Sequence, residues 1–261
     1  MTSDTLLSIT LALSAAAAAG LVGAFALMKR TVLAGDVISH IAIPGLGLAV
    51  IWNINPLVGG GATLLLGALI IWQLEKKAKL STEATIGVIF AASVALGALL
   101  INSKEELIDA LFGGFGNIST GEFVFGIASS VAIVVALWDL RDKLIIGLFS
   151  EDLAASTKIN TSSLNLWFLL LFCLAILAGL RFLGALLAGA LIIIPPSAAR
   201  QLAHTFSWFL GCSALLSVLS VGLGLIISTR YGLELGPVVA VVAAVFFVLS
   251  LIKKKCCARG F

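Results

Sequence analysis

The sequence predicts an all-α fold: a polytopic transmembrane helical bundle of about 8–9 spans, forming a single domain over residues 1–261, with its N-terminus outside and its C-terminus inside. Three observations carry that expectation. Of the 261 residues, 61% are hydrophobic and 11% are charged, whereas a soluble domain carries roughly 25% charge. The apolar residues come in long unbroken runs such as 6–28 and 57–72, and about 20 residues at 1.5 Å each cross a hydrocarbon core of ~30 Å. The cations cluster at alternate joints between those runs.

Apolar runs between polar punctuation give candidate spans at 6–28, 32–52, 56–74, 84–101, 121–139, 164–180, 182–199, 206–228 and 236–252. The first is read as a retained helix rather than a signal peptide, because residues 1–4 carry no base and Lys29-Arg30 follow the run. Breakers mark the joints: Asn53-Ile54-Asn55-Pro56 after the second span, Gly113-Gly114 before the fifth, and Gly236-Pro237 at the last. Only Arg181 separates the sixth span from the seventh, so the sequence leaves open whether both cross completely.

With Lys29-Arg30 inside, thirteen of the sixteen Lys and Arg fall on the cytoplasmic side, and only Lys104, Arg181 and Arg230 fall outside. That is the bias of cytoplasmic loops. The cations sit in short clusters and form no basic face, so the composition gives no reason to expect a nucleic-acid partner. Cys173 and Cys212 lie in apolar runs and Cys256-Cys257 in the tail, without the spacing of a disulfide framework or a zinc site. Gly is abundant at 26 residues, and small residues let helix backbones approach in lipid.

Among the acidic residues, Asp36 alone falls inside a span, and His40 follows four residues later. Positions i and i+4 share a helix face, with Ser39 alongside. An intramembrane ionisable group costs about 2.5–3.5 kcal/mol on insertion scales and usually faces a bundle interior or a polar pathway. Carboxylate oxygen with imidazole nitrogen suits zinc, manganese or ferrous iron better than copper(I). Pro44 lacks an N–H, so the carbonyl of His40 loses its helical partner and could face the pathway. A hydrogen bond that only stitches helices, and a proton relay in a secondary transporter, are alternative readings of the pair. The pair itself does not choose among them.

Before the sixth span, residues 149–158 predict a short cytoplasmic helix: Ser150 as N-cap, Glu151 and Asp152 at its positive end, Lys158 at the other. Leu153 and Ala154 give it a small apolar patch, suited either to a partner's groove or to the lipid surface. No Gly-Lys dipeptide occurs, hence no Walker A loop, and ATP-driven work would need a separate ATPase. Neither G-x-S-x-G nor H-E-x-x-H occurs, and nothing else suggests an enzyme. His204 near Arg200 is given no role.

The stretch Gly35-Asp36-Val37-Ile38-Ser39-His40-Ile41-Ala42-Ile43-Pro44-Gly45 resembles the second-helix signature of the permeases of ABC importers for zinc, manganese or iron. Glu83-Ala84-Thr85-Ile86-Gly87-Val88-Ile89-Phe90 resembles the start of that family's fourth span, and 184–200, ending Ile194-Pro195-Pro196-Ser197-Ala198-Ala199-Arg200, its small-residue helix. The resemblance implies a homodimer around a central pathway in the bacterial cytoplasmic membrane, two cytoplasmic ATPase subunits and an extracytoplasmic metal-binding protein. It implies further that Asp36 and His40 meet the transported metal, with zinc favoured and no permanently bound cofactor. Residues 150–154 would be the coupling helix that contacts the ATPase. The glycine common near Lys158 is missing, and Pro196-Ser197 replaces the more usual small pair.

Overall fold

The computed structural model describes residues 3–29, 31, 37–78, 82–101, 119–149 and 160–258. Every regular element among them is an α-helix: α1 (Ser3–Met28), α2 (Ala42–Ile51), α3 (Pro56–Ala78), α4 (Thr82–Leu100), α5 (Thr120–Phe149), α6 (Thr161–Leu202), α7 (Phe206–Tyr231) and α8 (Leu235–Ala258). A helical turn at residues 37–40 extends α2 backwards. Six segments are long and apolar enough to cross a bilayer: Leu6–Met28, Pro56–Leu74, Thr120–Gly147, Thr161–Leu180, Phe206–Tyr231 and Leu235–Lys253; Val37–Ile51 and Ala84–Leu100 are shorter.

Helix α1 is the hub and packs on α5, α6 and α7. Its alanines allow this: Ala16, Ala18, Ala24 and Ala26 are all completely buried, and small side chains give helices close approach where lipid supplies no hydrophobic drive. Interhelical bonds reinforce it, as Ser213 Oγ donates to Gly20 O at 2.6 Å.

Contacts fix how several helices run against one another. Phe25 stacks edge-on against Phe206 at 5.7 Å, while Gly20 meets Ser213 and Ser217 further along, so α1 and α7 are antiparallel. Trp72 Nε1 donates to Ser162 O at 3.0 Å and Cys173 Sγ to Leu64 O at 3.5 Å, which sets α3 antiparallel to the start of α6. Asn55 Nδ2 donates to Glu122 Oε1 at 3.3 Å, joining the α2–α3 connection to the start of α5.

The sequence places the joint between its sixth and seventh spans at Arg181. In the structure the chain stays helical through Arg181 and breaks at Gly184, where φ is 68° and ψ is 176°. Only glycine adopts that region readily. A Cβ at Gly179 would lie 3.8 Å from that of Ala188, although nine residues of straight helix span about 13.5 Å. The chain therefore folds back there, and α6 is two antiparallel halves.

Lys29, Lys76, Arg141, Arg200 and Lys253 thus gather at one end of the bundle, with Arg230 and Glu122 at the other. Trp138, Trp167 and Trp208 are exposed near the lysine-rich end, and Trp52 and Tyr231 at the opposite end. Exposed aromatic residues at both ends are what membrane interfaces select. Helix α5 runs ten residues beyond the expected 121–139, reaching Phe149.

Candidate functional site

Pro44 shapes the backbone around His40. Four residues ahead, it cannot donate the N–H that would close a helical turn on the His40 carbonyl. The helix is accordingly interrupted: residues 37–40 are helical, Ile41 is a turn, and α2 restarts at Ala42. The Ile41 N–H donates to Ile38 O at 3.0 Å, a tighter i→i−3 bond. Pro44 itself is buried in the first turn after the break.

The His40 ring meets Phe90 of α4 edge-on, with centroids 5.3 Å apart and planes at 70°. It is half-buried, with Nδ1 withdrawn from solvent. Its neighbour Ser39 is completely buried. Asp36 lies outside the described residues. Among the described residues no three His, Cys, Asp or Glu side chains gather as a metal cluster.

Sequence reasoning gave no site role to Phe90, Thr85 or Lys29. Phe90 is only the last residue of the fourth-span stretch, yet it is the ring against which His40 rests. Thr85, one turn from it on α4, is buried, and its hydroxyl finds no hydrogen-bond partner among the described residues. Lys29 hydrogen-bonds the side chain of Asn165 and lies 5.1 Å over the Phe168 ring, which anchors the end of α1 to the start of α6. The predicted coupling residues Ser150, Glu151, Asp152, Leu153 and Ala154 lie outside the described residues. Their flanks converge: a Cβ at Gly147 would be 3.3 Å from Leu164 Cδ2, and Asn160 caps α6 by accepting the Ser163 N–H at 3.1 Å. Cys173 is buried, Cys212 is half-buried, and both are free thiols. His204 is exposed in the α6–α7 connection.

Apolar helices of alternating direction, with a histidine at a proline-imposed break, define a multi-pass membrane protein. The model of the ABC 3 transport family matches residues 3–254. The chain belongs to that family and is a permease, a transporter subunit and not an enzyme. It is 31% identical over 241 residues to the high-affinity zinc uptake system membrane protein ZnuB of Buchnera aphidicola, covering 90% of this chain and 92% of the relative. Its identity to the manganese import system permease protein ScaB of Streptococcus parasanguinis is 27% over 235 residues, covering 89% and 84%. PsaBC from Streptococcus pneumoniae, solved in complex with Fab, has a similar structure: the TM-score is 0.84 at 25% identity, covering 96% of this chain and 91% of that one.

Proposed function

We propose that this permease serves an ABC importer that moves a divalent transition metal, zinc favoured over manganese or iron, across the bacterial cytoplasmic membrane by alternating access. The observation that carries the proposal is His40, half-buried at the break before Pro44 and backed by Phe90, in a family whose named relatives take up zinc or manganese. An imidazole beside unwound backbone offers both nitrogen and carbonyl oxygen to a borderline cation. Asp36, four residues earlier, supplies the carboxylate. In this reading a second copy supplies the other wall of the pathway.

Nine segments cross in this reading, the two halves of α6 counted separately, with the N-terminus outside and the lysine-rich end in the cytoplasm. Residues 150–154 dock on one of two ATPase subunits, and an extracytoplasmic protein delivers the metal. The test is uptake by the complex reconstituted in vesicles. Asp36→Ala and His40→Ala should each abolish uptake while the ATPase still copurifies, and Leu153→Asp should release the ATPase. Normal uptake by both pair variants removes the pathway assignment. Proton-dependent uptake by the chain alone would replace the ABC mechanism with a secondary one. Competition among zinc, manganese and ferrous iron identifies the cargo.

A further inference from the structure

Between α1, α5 and α7, near the lysine-rich end, lies a groove of ≈ 360 Å³. Its floor is apolar, formed by Leu21, Phe25, Leu137 and Leu210, and Arg141, Asp142 and Ser207 stand on its lining. The polar groups stand toward the outer part: Val134, also on the lining, is seven residues and about 10 Å of helix deeper than Arg141, and Ile145 lies one turn further out. Trp138 and Trp208, both more than half exposed, mark that outer end as the level of lipid headgroups.

The charges at the mouth are paired and reachable. Arg141 Nε donates to Asp142 Oδ1 at 3.1 Å, and their side chains are 41% and 76% exposed. The guanidinium lies 4.9 Å over the Trp138 ring, which holds it in place. One N–H is spent on Asp142, and a guanidinium has about five, so its terminal nitrogens remain to meet an anion. The mouth therefore offers a fixed cation and a fixed anion side by side above an apolar slot.

We propose that this groove is a binding site for one phospholipid with a zwitterionic, primary-ammonium headgroup of the phosphatidylethanolamine kind. An acyl chain lies on the apolar floor, the phosphate meets Arg141 and the Ser207 hydroxyl, and the ammonium donates to Asp142. A headgroup with only negative charge would face Asp142 unfavourably. A choline headgroup carries the cation but no N–H to donate. The proposal rests on the chain being embedded in a bilayer and is independent of the cargo.

Gly211 provides the means to test it. It lines the groove, and a Cβ there would meet nothing within 4 Å. Gly211→Leu should fill the slot without displacing a helix. The full-length chain, extracted in mild detergent, is examined by native mass spectrometry, then stripped of lipid and melted with phosphatidylethanolamine, phosphatidylcholine or phosphatidylglycerol added back. Wild type should retain phosphatidylethanolamine and gain thermal stability from it in preference to the other two. Gly211→Leu should fold and melt normally but retain about tenfold less lipid, and Arg141→Gln or Asp142→Asn should lower retention by a similar factor, the worth of one charge-assisted hydrogen bond. Equal retention of all three lipids, preference for phosphatidylglycerol, or undiminished retention by Gly211→Leu would overturn the proposal.

Discussion

The crossing of α2 and α3 is closed by two glycines, and it is the most exacting contact near His40. A Cβ at Gly45 would stand 2.1 Å from Gly59 O and 2.3 Å from Thr63 Oγ1, and one at Gly59 would stand 2.2 Å from Gly45 O. Carbon–oxygen contacts of this kind settle at about 3.3 Å or more, so an added methyl must part the helices by roughly 1 Å. The two carbonyl oxygens are backbone and cannot rotate away. Overpacking of this sort costs about 1–3 kcal/mol. Gly45→Ala and Gly59→Ala should each lower the melting temperature of the purified chain by several degrees and, because α2 carries His40 across the shifted interface, reduce uptake by the complex. The double variant should lose less than the sum of the two, since either methyl opens the gap that the other needs. Gly87→Ala is the control: a Cβ there meets nothing within 4 Å, so only the helix propensity gain of up to about 1 kcal/mol applies. If Gly45→Ala and Gly59→Ala melt like Gly87→Ala, the close-approach argument is wrong.

Further outcomes follow from other contacts. Gly184→Ala places a side chain at φ 68°, ψ 176°, a strain of about 1–3 kcal/mol, and should lower the yield and melting temperature of the extracted chain more than Gly87→Ala does. Ser213→Ala removes the hydrogen bond to Gly20 O; measured by thermal melting in detergent, it should cost about 0.6 kcal/mol, the average for such bonds in membrane proteins. Lys29→Met keeps the stem but loses the hydrogen bond to Asn165 and the cation over Phe168, and about 1–2 kcal/mol should go with them. In a cysteine-free background, Ser119→Cys should react with an impermeant maleimide added outside intact cells and Lys77→Cys only after permeabilisation; the reverse pattern would invert the proposed orientation.

The bundle was legible in the sequence because lipid imposes one rule on every span. Backbone polar groups must be satisfied within a helix and side chains must be apolar, so composition and run length carry the signal without any tertiary knowledge. The fold-back in α6 was not legible in detail. Arg181, a charge in an apolar run, drew the boundary, while the turn sits at Gly184, one glycine among 26. His40 stood out as a polar residue where lipid tolerates few, and Pro44 marked the break beside it. Gly45 stood in the signature stretch, but neither its partner Gly59 nor Phe90 was marked as a contact, because an aromatic or a glycine in an apolar helix looks the same whether it faces lipid, another helix or a site. Only the neighbour across the interface distinguishes these cases.

That contrast bears on where motion is affordable in the fold. Helix α1, with its completely buried alanines, joins α5, α6 and α7 into one closely packed body. Helix α4 instead packs on α2 and α3 and leaves Val88 68% and Leu99 77% exposed. Burial scales with the area removed from contact with surroundings and with the number of packed neighbours, so shifting α4 forfeits far fewer packed contacts than shifting α1. His40 and Phe90 sit where the interrupted start of α2 meets this thinly covered helix. The break at Ile41 gives α2 a point at which to bend, and the glycine pair at 45 and 59 holds the rest of α2 in register on α3. A rearrangement that opened the His40 side would therefore hinge between Ile41 and Gly45 and leave the α1 hub in place.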